Sequence, residues 1–327
     1  MKITRKIIDI VLIAVLLYLS AQVSTLGWNF FLPDIKVKPH DLELPERLQA
    51  HTRKLSQDIG RRSVFNYAGL EQAAEYIIRQ LESSGYDVKL QEYFVIGKKT
   101  KNIIAAKSGA KFPEEIIVVG AHYDSYFNPG ADDNASGVAA VLELAALLKN
   151  ETVDRTIEFV FFANEEPPFF QRDDMGSRVF TKIAKESGRN IRAAIIFDMI
   201  GYYSNRINSQ RYFPLGGVFS PNKANFIAVF ADSEHRQFAE RAVSYFRNSP
   251  SLFPIRALIL DFQPSVDFSD HWSFWKENYP AIMVSDTVFL RYSNYHKDSD
   301  TWEKLNYQNM ACVVEGFRSA IIGIADN

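Results

Sequence analysis

Residues 114–148 read EEIIVVGA, then HYDSYFNPGADDNASG, then VAAVLELAALL. The first piece is short, apolar and β-branched, as a buried strand is; the last is long and rich in Ala and Leu, as a helix is. A strand that passes through a polar turn into a helix is the repeating unit of an α/β fold. The turn itself holds one histidine and three aspartates between His122 and Gly137. Unpaired carboxylates are costly to bury, so this cluster is either solvated or built around something positive.

The same alternation extends along the chain. YDVKLQEYFV, KNIIAAKSG, RTIEFVFFAN, IRAAIIFDMI, NFIAVFA and YPAIMVSD read as further strands. Helical periodicity marks LPERLQAHTRKLSQDIG, GLEQAAEYIIRQLESSG, GSRVFTKIAKESG, SEHRQFAERAVSYFRNS and a final TWEKLNYQNMACVVEGFRSAIIGIA. Strands apolar along their whole length need cover on both faces. The predicted architecture is therefore one α/β domain, a mixed and largely parallel central sheet flanked by helices on both faces.

Charge falls where such a fold binds ligands. His122 and Asp124 end one strand, Glu165 and Glu166 a second, Asp198 a third and Asp286 a fourth. Open α/β sheets bind in the crevice beyond the carboxyl ends of their strands, so these groups are expected to converge on one site. Carboxylates and histidines without cysteine suit zinc, with manganese or cobalt as lesser fits. The candidate inventory is His122, Asp124, Asp132, Asp133, Glu165, Glu166, Asp198, Asp270, His271, His296 and Asp300. That is enough for two metals with supporting partners and a base. Two metals about 3.5–4 Å apart activate a water and polarise a substrate oxygen.

Composition closes other routes. The 37 basic and 39 acidic residues form no long run of either sign, which speaks against nucleic acid as a partner. The single cysteine, Cys312, sits in an apolar helical pattern and excludes an internal disulfide framework. At the N-terminus, Lys2, Arg5 and Lys6 precede a stretch from Ile10 to Pro33 without a charged residue. It reads as a membrane-spanning signal-anchor over 1–32 with its N-terminus inside, or as a signal peptide cleaved near Ala21–Ser24. Either way the remainder is expected outside the cytoplasm, with 33–45 as a linker and 46–327 as the catalytic domain.

Six ordered blocks carry a resemblance: HYDS at 122–125, PGADDNASG at 129–137, NEE at 164–166, FDMIG at 197–201, SDH at 269–271 and YHKDSDT at 295–301. Together they resemble the co-catalytic zinc aminopeptidase family, which includes secreted bacterial leucyl aminopeptidases, over roughly residues 45 to 325. The resemblance implies two zinc ions per chain. His122 and Asp198 would hold one, Glu166 and His296 the other, and Asp133 would bridge both. It makes Glu165 the general base that takes a proton from a metal-bridging water, with Tyr295 stabilising the oxyanion. Asp124 would accept the free ring N–H of His122, and Asp270 and His271 would support the site.

The stretch PPFFQRDDM before Gly176 is longer than the family's usual turn. It is read as a wall of the substrate pocket, with Phe169 and Phe170 adding apolar surface and Asp173 and Asp174 attracting a substrate amine. The implied activity is a metal-dependent exopeptidase that removes N-terminal residues from peptides. The alternative is a glutaminyl-peptide cyclotransferase with one zinc, which shares the fold and nearly the same ligands; Tyr295 before His296 favours the peptidase. A non-catalytic binding module is disfavoured because Glu165 and the five ligands are all present. Thr301 is expected to cap the last helix, and His40, His51 and His235 to lie on the surface.

Overall fold

Along strand β3 (Phe112–His122), Ile117, Val119 and Ala121 pack into one apolar cluster, while Ile116 and Val118 pack into another. Alternate side chains point to opposite faces, so a strand clad on both sides must be apolar throughout. The same division runs through β4 (Arg155–Phe162) and β5 (Asn190–Phe197), where Phe159, Phe161 and Ile195 face one way and Val160, Phe162 and Ile196 the other. The computed structural model describes residues 37–212, 221–250, 252–259 and 267–327.

Among the described residues one sheet runs in the order β1-β2-β4-β3-β5-β8-β6-β7. Strands β1 (Val88–Val95) and β2 (Lys98–Lys107) form an antiparallel hairpin that pairs antiparallel with β4. The centre, β4-β3-β5-β8, is parallel, with β8 spanning Ala281–Ser285. Beyond it β6 (Ile227–Ala231) runs antiparallel to β8, and β7 (Ile255–Ile259) runs parallel to β6. The sequence reading contains no strand at 255–259. That strand is five residues long at the sheet edge, and its Arg256 is exposed, so it lacks the apolar run that marks a central strand.

Helices α1 (Leu44–Arg53), α2 (Tyr67–Ser83), α3 (Gly137–Leu148), α5 (Arg236–Arg247) and α7 (Tyr307–Asp326) contribute to the larger cluster. On the opposite face α4 (Gly176–Glu186) supplies Phe180 and Ala184, and α6 (His271–Lys276) supplies Phe274. The mixed α/β architecture is as the sequence predicts. Residues Val37–Tyr203 and Phe226–Asn327 form one unit. Residues 204–212 and 221–225 lie outside that unit, and there the Ser204 N–H donates to the Ala224 carbonyl (2.8 Å).

Details depart from the sequence reading. Helix α1 opens at Leu44, inside the stretch read as linker, and Leu44 is fully buried. His51 is not a surface residue: it is buried on the α1 face that carries Leu44 and Leu48, bonded to the Tyr76 hydroxyl (2.7 Å) and Glu143 (3.1 Å). The last helix starts six residues after Thr301, and its cap is Asn306, whose side chain accepts the Asn309 N–H (3.0 Å). The segment read as signal-anchor lies outside the described residues. Among the described residues no helix is long and apolar enough to cross a membrane.

Candidate metal centre

The parallel strands deliver the acidic groups to one edge. His122 ends β3, Asp198 follows β5, and Glu165 and Glu166 lie three and four residues past β4. His122 Nε2 lies 3.4 Å from Asp133 Oδ1 and 3.7 Å from Asp198 Oδ1. His296 Nε2 lies 3.0 Å from both Asp133 Oδ2 and Glu166 Oε2. Two groups therefore converge, His122–Asp133–Asp198 and Asp133–Glu166–His296, each with its ligand atoms within 4.8 Å of one another. Asp133 belongs to both and offers a different oxygen to each.

These residues fit metal ions on the chemistry of their atoms. Both ring nitrogens of His122 and Nε2 of His296 are buried without a hydrogen bond. Buried polar atoms are nearly always bonded, so orphaned nitrogens packed among carboxylate oxygens mark the place of a cation. Imidazole and carboxylate donors without thiolate suit zinc.

Local backbone devices set this geometry. Gly130 has φ +59°, and a Cβ there would stand 2.4 Å from the Asp133 carbonyl, so the loop closes only on glycine. Asn134 then bolts the loop to the end of β5. Its Nδ2 donates to the Phe197 carbonyl (2.8 Å), and its Oδ1 accepts the Met199 and Gly137 N–H groups (3.1 and 3.0 Å). Asn164, Met199 and His296, each at or beside a candidate ligand, have φ between 54° and 61°. Such left-handed backbone persists where its surroundings over-determine it.

Asp124 does more than the sequence suggests. Its Oδ1 lies 3.5 Å from His122 Nδ1, and its two oxygens accept the N–H groups of Glu165 (3.0 Å) and Glu166 (3.1 Å). One carboxylate thus faces His122 and fixes the backbone of the Glu-Glu pair. Glu166 divides its own oxygens, Oε1 accepting the Tyr126 N–H (3.0 Å) and Oε2 facing His296. Glu165 stands apart from both groups, with Oε2 at 3.9 Å from His122 Nε2. Asp270 and His271 are fully buried at the start of α6 and belong to neither group. The Tyr295 ring stacks on His296 at 3.8 Å.

Other positions in the acidic loops turn out to be braces. Asp300 belongs to neither group: its carboxylate accepts the N–H groups of Asp132 (2.9 Å) and Asp133 (3.2 Å) and the Tyr292 hydroxyl (2.9 Å). Asp132 is fully buried rather than solvated, and accepts the Gly201 N–H (2.8 Å). The sequence reading misses Arg62 entirely. It is fully buried, and its guanidinium donates to the carbonyls of Leu55, Gly60, Tyr123, Pro129 and Gly130.

The PPFFQRDDM loop folds differently from its reading as a pocket wall. Phe169 is buried and stacks on Phe65 (5.9 Å), while Phe170 is half-buried. Asp173 faces solvent and pairs with Lys182 (2.6 Å). Asp173 and Asp174 line a cavity of about 600 Å³ with Tyr93, Phe94 and Arg172, and its lining includes none of the candidate ligands. The loop turns Phe169 inward and Asp173 outward, while Asp174 is half-buried beside Arg172 (3.5 Å).

Protonation in the metal-free protein follows from this crowding. Burial opposes charge on His296, but Asp133 and Glu166 outweigh it and raise the imidazole to about 10. Burial likewise opposes charge on His122, and the carboxylates of Glu165, Asp124, Asp133 and Asp198 carry it well above its ordinary value. Burial and Asp133 push Glu166 up to about 8. Zinc must displace these protons, so its affinity rises with pH wherever they are still bound. We expect proton release on zinc binding at pH 7 and affinity falling about tenfold or more per pH unit from 8 to 6. Calorimetry in buffers of different ionisation enthalpy measures both; constant affinity without proton release would contradict the assignment of these ligands.

The sequence profile of Peptidase family M28 matches residues 102–321, which hold every residue of both converging groups. The chain belongs to peptidase family M28. It is 39% identical over 282 residues to the uncharacterized protein YfbL of Escherichia coli, covering 83% of this chain and 86% of that one. It is 28% identical to a probable leucine aminopeptidase of Arthroderma otae, covering 75% of this chain and 64% of that longer one. Among solved structures, BSAP, a zinc aminopeptidase from Bacillus subtilis, superposes with a TM-score of 0.69 at 16% identity, covering 90% of this chain and 97% of that one. This M28 member therefore shares the zinc exopeptidase fold.

Proposed function

We propose that this M28 peptidase is an aminopeptidase using two zinc ions, held by His122 and Asp198, by Glu166 and His296, and by Asp133 shared between them. The observation that carries the reading is the pair of three-residue groups with Asp133 in common and Glu165 beside them but outside both. When bound, the ions supply a Lewis-acidic clamp that makes water acidic and polarises a carbonyl. Glu165 accepts the proton of the attacking water and returns it to the leaving amine. Burial raises Glu165 well above the carboxylate range, His122 pulls it down, and Glu166, Asp198 and Asp270 raise it further; dications held beside it would favour the ionised form that serves as a base. Burial and the surrounding carboxylates keep the Tyr295 hydroxyl protonated, as a hydrogen-bond donor to an oxyanion must be.

The acidic site also suits an exopeptidase, because a free substrate amine is drawn to carboxylates. The charge-free N-terminal segment supports a membrane-anchored or secreted protein acting on peptides outside the cytoplasm. The test joins elemental analysis to activity on Leu-, Lys- and Gln-anilides. We expect two zinc ions per chain and release of the free amino acid. One zinc with cyclisation of the glutamine substrate would establish the cyclotransferase instead.

A further inference from the structure

Two phenylalanines stand exposed near the metal centre without a role in it. Phe65 is 54% and Phe127 49% exposed, and their rings lie 5.7 Å apart. Phe65 rests on the buried Phe169 (5.9 Å). Phe127 meets Tyr126 edge-on (4.9 Å), and Tyr126 stacks on His296 at 4.4 Å with the planes 10° apart. Both ends of this aromatic row are tied to Glu166: the Tyr126 N–H donates to its Oε1, and the Phe169 N–H donates to its carbonyl (3.0 Å). The row therefore forms an apolar ledge continuous with one candidate metal position and held in register with it.

His296 carries a second aromatic arm through Tyr295, which lies 6.0 Å from Phe289. That arm is half-buried and packs with Met199, Val288 and Tyr292. The two arms suit different parts of a peptide. An N-terminal residue ends the chain and can sit in an enclosed place, whereas the peptide beyond the scissile bond has to run out into solvent. Of the two arms, the Phe65–Phe127 ledge is the one whose apolar surface opens outward.

We propose that Phe65 and Phe127 form a subsite for an apolar side chain on the leaving-group side of the scissile bond. The substrates would then be peptides with a large apolar second residue. This rests on the aminopeptidase reading above. Paired aromatic rings add binding beyond their buried area, and one large apolar group commonly discriminates by about tenfold or more.

The test measures kcat/KM of the zinc-loaded full chain on the dipeptides Leu-Phe and Leu-Gly, following free leucine. The wild-type protein should favour Leu-Phe by about tenfold, and the Phe65→Ser, Phe127→Ser double variant should bring the ratio close to one. Both side chains are half exposed, so serine there costs little folding stability. A wild-type ratio near one, or a ratio unchanged in the double variant, would overturn the subsite while leaving the aminopeptidase intact. No leucine from either dipeptide would instead remove the aminopeptidase reading, and the subsite with it.

Discussion

Replacing Glu165 by glutamine lowers turnover by about 10²–10⁴-fold and leaves zinc binding in place. The geometry separates these two effects. Glu165 belongs to neither converging group, and its position is fixed through its backbone, whose N–H donates to Asp124. Glutamine keeps the shape and that amide bond but cannot accept a proton. Folding should barely respond, because burial and neighbouring carboxylates already favour the uncharged form of Glu165 in the metal-free protein. Turnover measured beside zinc content gives the answer. Undiminished activity would remove Glu165 as the base, and loss of zinc together with activity would make it a ligand.

The second large effect is expected at Arg62. Its five carbonyl acceptors come from two places, the 55–60 segment and the 123–130 loop that separates His122 from Asp133. The clamp is double, since the Ser125 N–H donates to the Arg62 carbonyl (2.7 Å) and the Arg62 N–H to Ser125 Oγ (3.1 Å). Burial drags the guanidinium down to about 10, against the pull of Asp124, Asp300, Asp133 and Glu166, so it remains a cation at neutral pH. Methionine would fill the space and leave the carbonyls without donors. Each orphaned carbonyl costs about 1–3 kcal/mol, and after relaxation the loss should be roughly 3–5 kcal/mol. Thermal unfolding of the metal-free protein and zinc affinity by chelator competition report the two consequences. Arg62→Lys keeps the charge but offers only three donors, so it should fall between wild type and Arg62→Met in both measurements. A lysine variant equal to wild type in melting temperature and zinc affinity would show that the fork of hydrogen bonds is dispensable.

What the sequence reveals and what it conceals follow from the range of the interactions. Parallel strands buried on both faces are apolar runs, so β3, β4, β5 and β8 stand out, and the polar residues at their ends mark one edge before any contact is known. His122, Glu166 and Asp198 are legible for that reason, and Asp133 and His296 through their place in ordered blocks. Arg62 is not, because its partners are backbone carbonyls, which leave no trace in residue identity. Nor are Phe65 and Phe127, which meet only when the 60s and 120s segments fold together. His51 does have a signal: Leu44, Leu48, His51 and Leu55 share one helical stripe, which a surface histidine would not join. Asp300 looks like a cap by its neighbours, yet its carboxylate reaches amides far away along the chain.

The two converging groups draw on the end of β3 with the acidic loop that follows it, the loop after β4, the end of β5 and the 296 loop, which recur along much of the chain. Ions held there would act as cross-links that exist only when all four stretches are in place. Ligands that bind only the folded state deplete the open forms by mass action. Digestion attacks those open forms. A loaded molecule would thus resist degradation by other proteases, and one stripped of its ions would lose working chemistry and persistence together.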